Sequence, residues 1–548
     1  MQADAGSNLL QTWIARAAAA APDKAWVVAA DDGRRVGYGA LREACGRFAA
    51  LLRGRGIGPN DRVALLANNS IEQLLAYFGV MAAGATVCTI HIEMNRNQLG
   101  NIFARLKPKL ILYQDGLQLD DLLAATAVPQ LRLGRFDKPE PDTLFAALSH
   151  YAPGEPPPPN PPPLAGQEIS TNPPPLAGQQ ISTNPPPLAG EGRVGAGPDD
   201  DAVILFTSGT SAQPKGVVLN FREYLANIDP LADGFAITAD DRLYDFRPFS
   251  WASAQLLGAL AVVNRGATLV LAEKFSASRF FHHLRDHDVT IAAGNPTVIN
   301  ILLNGDGTAH RDNLPKLRFV TSSSAPLLLA EWKRFEQKFG IPIAQGCGAS
   351  EVSWIAAVPG EARRLGTVGR PFAYHDVAIV DAAGARLPPG EIGYVELGGW
   401  PDHPFRYLGD DGETKTHCRG RIRTGDLGCL DADGFLMLTG RDKEQIIRGG
   451  AKISPVEIDT ALMQHADLIE AATVGVPDPV YGEEVVSYVV TRPGATIDAD
   501  DLLRYCRSVL PAFKAPKRIV IADTLPKTER GKLDRKALAE RWKNSRAD

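Results

Sequence analysis

The sequence predicts an α/β fold in two parts, a large N-terminal domain of layered sheets and helices and a small α+β domain at the C-terminus. Three observations predict it. Short apolar runs alternate with amphipathic helical stretches from Trp26 to Gly348, as in a largely parallel sheet covered by helices. After Trp400 the chain turns to short strands joined by Asp-x-Asp-Gly and Gly-Arg-Asp turns. Beyond Lys452 a compact helix–strand–strand–helix pattern follows.

The elements follow in order. WVVAADDGRRVGYG has two apolar runs around an Asp-Asp-Gly turn, the pattern of a hairpin. YGALREACGRFAALLRGRG sets Leu41, Cys45, Phe48, Ala49 and Leu52 at helical spacing, with Gly56 as the stop. RVALLANN is a short buried strand, IEQLLAYFGVMAAG an apolar helix, and ATVCTI and LKPKLILY restart strands. The same rhythm returns in ATLVLAEKF, ASRFFHHLRDHD, VTIAAGNP, LRFVTSSS, LLLAEWKRFEQKFG and IPIAQGCG. Near the C-terminus, PVEIDTALMQHADLIEAATVGV predicts a helix then a strand. EEVVSYVVTRPG predicts another strand, and DADDLLRYCRSVL a helix ending near Pro511. The domains are drawn at 1–440 and 441–548. Residues 160–190 interrupt the first with a proline-rich phrase of period 12, NPPPLAGQ[E/Q]IST. Triple prolines exclude helix and inner strand there, which leaves a surface insertion or a ligand for a partner domain.

Composition narrows the function. Of 548 residues, 45% are hydrophobic and 22% charged, enough for a sizeable core. The net charge of −5 argues against a nucleic-acid partner but leaves room for a local basic pocket. Six scattered cysteines, with no C-x-x-C pair, argue against both a disulfide framework and a cysteine metal site. The first twenty residues lack a signal-peptide pattern, and QLLGALAVVNRGATLVLA is broken by Asn264, Arg265 and Gly266 before it could span a membrane. A cytoplasmic protein is expected.

The sharpest local pattern is ILFTSGTSAQPKGVVLN, residues 204–220. A strand runs into Thr207, Ser208, Gly209, Thr210 and Ser211, then Lys215 precedes a second apolar run. Packed hydroxyls and glycine permit a tight turn facing phosphate oxygens, and the lysine adds a mobile positive charge. It is not the G-x-x-x-x-G-K-[ST] loop. A solvated turn is the alternative. Three further stretches fit with it: Gly346-Cys347-Gly348-Ala349-Ser350-Glu351, ending in a carboxylate able to hold magnesium; Arg423-Thr424-Gly425-Asp426, whose carboxylate suits two ribose hydroxyls; and the basic segment Leu525–Leu533 with Lys532. Each alone is also what an ordinary loop or a solvated tail looks like. In FFHHLRDHD, His283 and His287 share a helix face without a third ligand, so surface histidines are expected rather than a metal site.

Together these stretches resemble the adenylate-forming superfamily, in particular its AMP-forming acyl-CoA synthetases. TSGTSAQPKG, RTGD, GRDKEQIIRGGAKISPVEID, PDPVYGEEVVSYVV and LPKTERGKLDR match the family's motifs in order, and the resemblance covers the chain apart from the 160–190 insert. It implies a multi-subdomain adenylate-forming domain followed by a small mobile one. ATP, magnesium and coenzyme A are the implied substrates and ion, with no bound organic cofactor. Thr207, Ser208, Gly209, Thr210, Ser211 and Lys215 would embrace the ATP phosphates. Glu351 would hold magnesium, with Ser350 beside the α-phosphate. Asp426, assisted by Arg441, would accept the ribose hydroxyls. Ser323, Ser324, Ala325, Gly346, Cys347, Gly348 and Ala349 would lie on the adenine side. Lys532 would bridge carboxylate and α-phosphate, Lys443 would be the hinge, and Gly449 and Gly450 would line the pantetheine channel. Phe249, Ser250, Trp251 and Asn295 are the candidate acyl pocket, and Arg247 is either structural or a partner for a second acidic group.

The sequence departs from the family at Ser211-Ala212, where Thr-Gly is usual, at Cys347, where many members have tyrosine, and at Phe249–Trp251, where a histidine is frequent. The phosphate lysine, magnesium carboxylate, ribose aspartate and tail lysine all remain. The implied reaction is acyl-adenylate formation followed by transfer to the coenzyme A thiol, by a monomer or homodimer. Two rivals stand beside it: an enzyme loading a phosphopantetheine carrier in trans, and a non-catalytic nucleotide or acyl sensor using the proline-rich repeat to recruit partners.

Overall fold

A computed structural model describes residues 7–92, 94, 96–117, 119–124, 126–151, 196–207, 214–305, 309–357, 363–398, 404–528 and 532–545. The proline-rich stretch 160–190 lies outside them. The chain divides into two compact units, one of Met1–Asp229, Pro248–Glu273 and Arg406–Lys415, the other of Pro230–Arg247, Lys274–Phe405 and Thr416–Asp548.

In the first unit the strands Arg62–Leu66, Thr86–Ile90 and Leu110–Tyr113 pair in parallel, with Gln130–Arg132 parallel at the outer edge. Asp201–Thr207 continues the sheet and turns antiparallel into Lys215–Asn220, which residues 406–408 extend. The expected hairpin is Ala25–Ala29 with Arg35–Gly37, and Thr268–Leu271 adds a parallel neighbour. Helix Tyr38–Gly54 stops before Gly56, whose φ of 67° suits glycine. Helix Ile71–Ala82 starts at Ser70, whose side chain accepts from the Gln73 amide, and it is buried along its whole length. Gly79 on this helix leaves the space that Phe48 fills: a Cβ there would lie 2.3 Å from the Phe48 ring. The two helices can therefore pack this closely only with glycine at that position.

In the second unit, Arg242–Asp245, Ile291–Ala292, Phe319–Ser322 and Ile343–Ala349 form a parallel sheet, edged by antiparallel Ser353–Ala357. Asp376–Val380, Gly393–Gly398, Arg421–Leu430 and Leu436–Arg441 make an antiparallel sheet. From Ile446 onward a separate five-stranded sheet carries its own cores. One side packs Ile446, Ile458, Leu462 and Leu502, the other Val474, Tyr488, Leu538 and Trp542. The helix expected near Pro511 is Ala499–Val509.

One expectation fails. His283 is not a surface histidine: it is buried on helix Ala277–Asp286, its Nδ1 3.2 Å from the Tyr244 hydroxyl. The Tyr244 hydroxyl and the neighbouring rings of Tyr244 and His287 accommodate the imidazole there. No group of three metal-binding side chains exists among the described residues. None of their helices is long and apolar enough to cross a membrane.

Candidate active site

In the first unit the phosphate-loop candidate hangs from a hairpin. Thr207 and Lys215 stand opposite each other in the antiparallel register, so the two strands fix the points where the intervening segment begins and ends. Ser208, Gly209, Thr210, Ser211 and Ala212 lie outside the described residues. The exit is fixed by Arg105, which donates to the carbonyls of Pro214 at 2.9 Å and Leu408 at 2.6 Å. Lys215 itself is exposed, its Nζ 5.6 Å from the centre of the Tyr407 ring.

The same unit holds the candidate acyl segment. Phe249 is buried edge-on to Tyr77 at 5.2 Å, while Ser250 and Trp251 are half-buried. A polar network fixes this turn. Asn69 accepts from the Phe249 amide at 2.9 Å, and the Gln255 amide group donates to Thr89 Oγ1 and the Phe249 carbonyl, both at 2.7 Å. Tyr224 donates to the Gln255 oxygen and meets the Tyr77 hydroxyl at 3.0 Å. Gln255 lies in a π-helical stretch, Ala254–Leu260, a geometry frequent at functional sites.

In the second unit, strand Ile343–Ala349 carries Gly346, Cys347, Gly348 and Ala349 into a hairpin. Gly348 is required by close approach, since a Cβ would fall 2.7 Å from the Ser353 carbonyl oxygen. Ser350 and Glu351 occupy the turn that follows. Asp426 faces Arg441 across the neighbouring antiparallel pair, and Arg441 Nε donates to Asp426 Oδ1 at 2.8 Å. Burial works to lower the Arg441 pKa, but the charges of Asp426, Glu444 and Glu351 outweigh it and hold the guanidinium above its ordinary value. One arginine thus feels both the ribose candidate and the magnesium candidate. Burial, helped by the Asp426 charge, pushes the Cys347 thiol well above its usual range, so it is neutral at physiological pH.

Gln345 on this strand, Ser322 on its parallel neighbour and Ser323 just after it are buried. Neither Ser322 Oγ, Ser323 Oγ nor Gln345 Oε1 has a hydrogen-bond partner among the described residues. Ser324 adopts a φ of 76°, rare for a residue with a side chain. Ala325 accepts from Gln345 Nε2 at 3.4 Å. Such orphaned groups and a strained backbone together suit a ligand ledge. Gln345 escaped the sequence reading, although it directly precedes Gly346.

Asn295 caps helix Pro296–Asn304, its side-chain oxygen accepting from the Val298 amide at 2.9 Å. Arg247 is 1% exposed and grips Asp245 through Nε at 3.0 Å and Nη2 at 2.6 Å, the structural alternative of its two readings. Lys443 lies exposed in the single turn Asp442–Glu444. Gly449 and Gly450, with φ of 57° and 85°, form the tip of a hairpin, and the Gly449 amide donates to the Tyr481 carbonyl at 2.8 Å. Lys532 is half-buried, next to an antiparallel bridge between Lys527 and Leu533.

Residues 14–400 match the family model described as AMP-binding enzyme, and residues 457–532 the model described as AMP-binding enzyme C-terminal domain. The chain is 32% identical to the sulfoacetate–CoA ligase of Cupriavidus necator over 96% of its own length and 97% of that protein's. It is 35% identical to the oxalate–CoA ligase of Arabidopsis thaliana over 63% of this chain and 68% of that protein. Its fold resembles crystalline ATP-bound MatB from Rhodopseudomonas palustris, with a TM-score of 0.81 and 25% identity over 98% of this chain and 99% of that one.

Proposed function

The chain belongs to the AMP-binding enzymes as an AMP-forming acyl-CoA synthetase, a ligase of a carboxylic acid with coenzyme A, and from that premise we propose how its residues divide the work. The observation that carries the assignment is the clustering in the second unit. Arg441 pairs with Asp426 and feels the charge of Glu351, Asp426 in turn acts on the Cys347 thiol, and the buried hydroxyls of Ser322 and Ser323 have no partner among the described residues.

Asp426 accepts the ribose hydroxyls while Arg441 holds its carboxylate in place. Ser323, Ser324, Ala325 and the 346–349 strand receive the adenine side, with Ser350 next to the α-phosphate. Cys347 contributes a neutral, polarisable surface rather than an aromatic ring. Thr207, Ser208, Gly209, Thr210, Ser211 and Lys215 hold the phosphates. Glu351 fits magnesium: a hard carboxylate oxygen, completed by phosphates and water, is the usual magnesium environment, and no second acidic cluster is required. When bound, that ion neutralises phosphate charge.

In the first half-reaction a carboxylate oxygen of the acid attacks the α-phosphorus and pyrophosphate leaves. Two anions approach each other, so Lys532 is placed to bridge them and stabilise the charge that develops. In the second, the coenzyme A thiol attacks the acyl carbonyl, AMP leaves, and the thiol proton passes to solvent. We place the domain boundary at 440/441. Rotation at Lys443 withdraws Lys532, and Gly449 and Gly450 then line the thiol channel. Phe249, Ser250, Trp251 and Asn295 shape the acyl pocket. The relatives named for sulfoacetate and oxalate favour a small acid. Six cysteines without a disulfide fit a reducing compartment, and a cytoplasmic monomer or homodimer is the proposed form.

The test is a panel of carboxylic acids with purified protein, ATP, magnesium and coenzyme A, reading AMP, pyrophosphate and thioester separately. AMP with an acyl-CoA is the expected result. Pyrophosphate without thioester points to another acceptor, and silence with every acid overturns the proposal.

A further inference from the structure

The segment that carries Lys532 is tied to the turn that carries Lys443. The Thr528 amide donates to the Lys532 carbonyl at 2.7 Å, and the Lys532 amide to Thr528 Oγ1 at 3.3 Å, so Lys532 is held to Thr528 by two hydrogen bonds. Helix Arg535–Asn544 starts three residues later, capped by Asp534. Its first residue, Arg535, sends its guanidinium inward in three directions. Nη1 donates to the Thr473 carbonyl at 2.8 Å, Nη2 to Asp459 Oδ2 at 2.7 Å, and Nε lies 3.4 Å from Glu444 Oε2.

The first two contacts have a structural reason. Asp459 is 2% exposed on helix Pro455–Leu462, and a buried carboxylate needs a fixed cation beside it. The third has no such reason, because the Glu444 side chain is 40% exposed and water would serve it as well. What distinguishes Glu444 is its position. It is the residue immediately after Lys443, and Arg535 is the first helical residue after Lys532. A rotation at Lys443 displaces Lys532 without slack only if these two points move as one body. A guanidinium fork already held by Asp459 and Thr473 supplies that stiffness.

We propose that Arg535 is a positioning residue for Lys532, and that its ion pair with Glu444 transmits rotation at Lys443 to the lysine. The proposal rests on the reading of Lys532 and Lys443 given above. Neither Arg535 nor Glu444 touches the reacting atoms in this scheme. Their effect is therefore confined to the half-reaction that needs Lys532 in place.

The full chain is assayed for each half-reaction separately. Adenylation is followed by pyrophosphate exchange with sulfoacetate and with oxalate. Thioester formation is followed from the presynthesised acyl-adenylate and coenzyme A. Lys532→Ala is the reference and loses adenylation while keeping the second step. Glu444→Gln slows adenylation about two- to fivefold, the size of an exposed ion pair, with thioester formation and Tm unchanged. Arg535→Gln slows adenylation about a hundredfold, the cost of a small misplacement of a catalytic group, and Arg535→Lys recovers part of it. If Arg535→Gln does not fold, Glu444→Gln carries the test. A normal Lys532→Ala reference with Glu444→Gln equal to wild type, or slowed equally in both steps, overturns the tether. A Lys532→Ala that adenylates normally overturns the reading of Lys532, and the tether with it.

Discussion

Around Gln255 each arm of a buried amide meets a partner, whereas at Ser322 and Ser323 two buried hydroxyls meet none among the described residues. Both regions are polar and both are inside. The first closes on itself through Thr89, Tyr224, Tyr77 and the Phe249 carbonyl, and so holds the turn that presents Ser250 and Trp251. The second leaves hydroxyls without a partner among the described residues, as the proposed nucleotide side would require. Satisfied networks rigidify, and unsatisfied groups mark where an exchangeable molecule completes the structure.

Breaking the closed network has the largest expected effect. Gln255→Leu removes the partner of Thr89 Oγ1, the Phe249 carbonyl and the Tyr224 hydroxyl at once. Leaving several buried polar groups unpaired costs on the order of 4 kcal/mol, so the variant should melt much earlier in a thermal scan. A melting curve like that of wild type would mean that the network is not structural.

Glu331 lies between the two extremes and sharpens the contrast. It is buried at the start of helix Leu329–Phe339, accepts from Asn300 Nδ2 at 2.7 Å, and has the Leu328 amide 3.4 Å away. Burial, reinforced by the charge of Glu470, lifts its pKa from 4.5 to about 7 despite those donors. The fold therefore binds this proton more tightly than the unfolded chain does. The associated stability is fully present below pH 4.5 and is lost as pH rises through about 7. The loss amounts to about 3 kcal/mol. Tm should fall between pH 5 and 7.5 in the wild type and stay nearly level in Glu331→Gln; parallel slopes would remove Glu331 as the cause.

Asp426→Asn tests the ligand-facing side. Its carboxylate is held by Arg441, at the surface rather than in the core, so folding loses little. A charged hydrogen bond to a ribose hydroxyl is worth roughly 1.5–3 kcal/mol, so KM for ATP should rise about ten- to a hundredfold while Tm stays put. A fallen Tm with KM unchanged would reverse the assignment of the residue from binding to structure.

How much of this was legible in the sequence follows from what each feature depends on. The alternation of Arg62–Leu66, Ile71–Ala82 and Thr86–Ile90 is local periodicity, and it appears in the fold as read. The candidate site rests on contiguous motifs, so Asp426, Arg441 and Glu351 stood out as residue types in turns. What periodicity could not carry was long-range. His283 reads as a polar position on an amphipathic helix, and its burial beside the Tyr244 hydroxyl comes from a strand distant in sequence. Glu331 reads as an ordinary acidic first turn, and its burial comes from packing that no local pattern encodes. Arg535 stands three residues from Lys532 in a basic segment. Its link to Glu444 spans ninety-one positions of chain and exists only in the folded molecule.

The smallest expected effect makes the finest test of the contrast. Ser323→Ala deletes a buried hydroxyl that no described group satisfies, so folding loses no hydrogen bond and sheds a desolvated polar atom. Stability should hold or rise by up to about 1 kcal/mol. If the hydroxyl instead meets the nucleotide, KM for ATP rises about two- to tenfold, the worth of one neutral hydrogen bond. Ser322→Ala separates the two hydroxyls by the same pair of readings. Raised KM at equal or higher Tm is the signature of a group kept unsatisfied for a ligand. Lowered Tm at unchanged KM would show that the ledge, like the Gln255 network, is built for the fold.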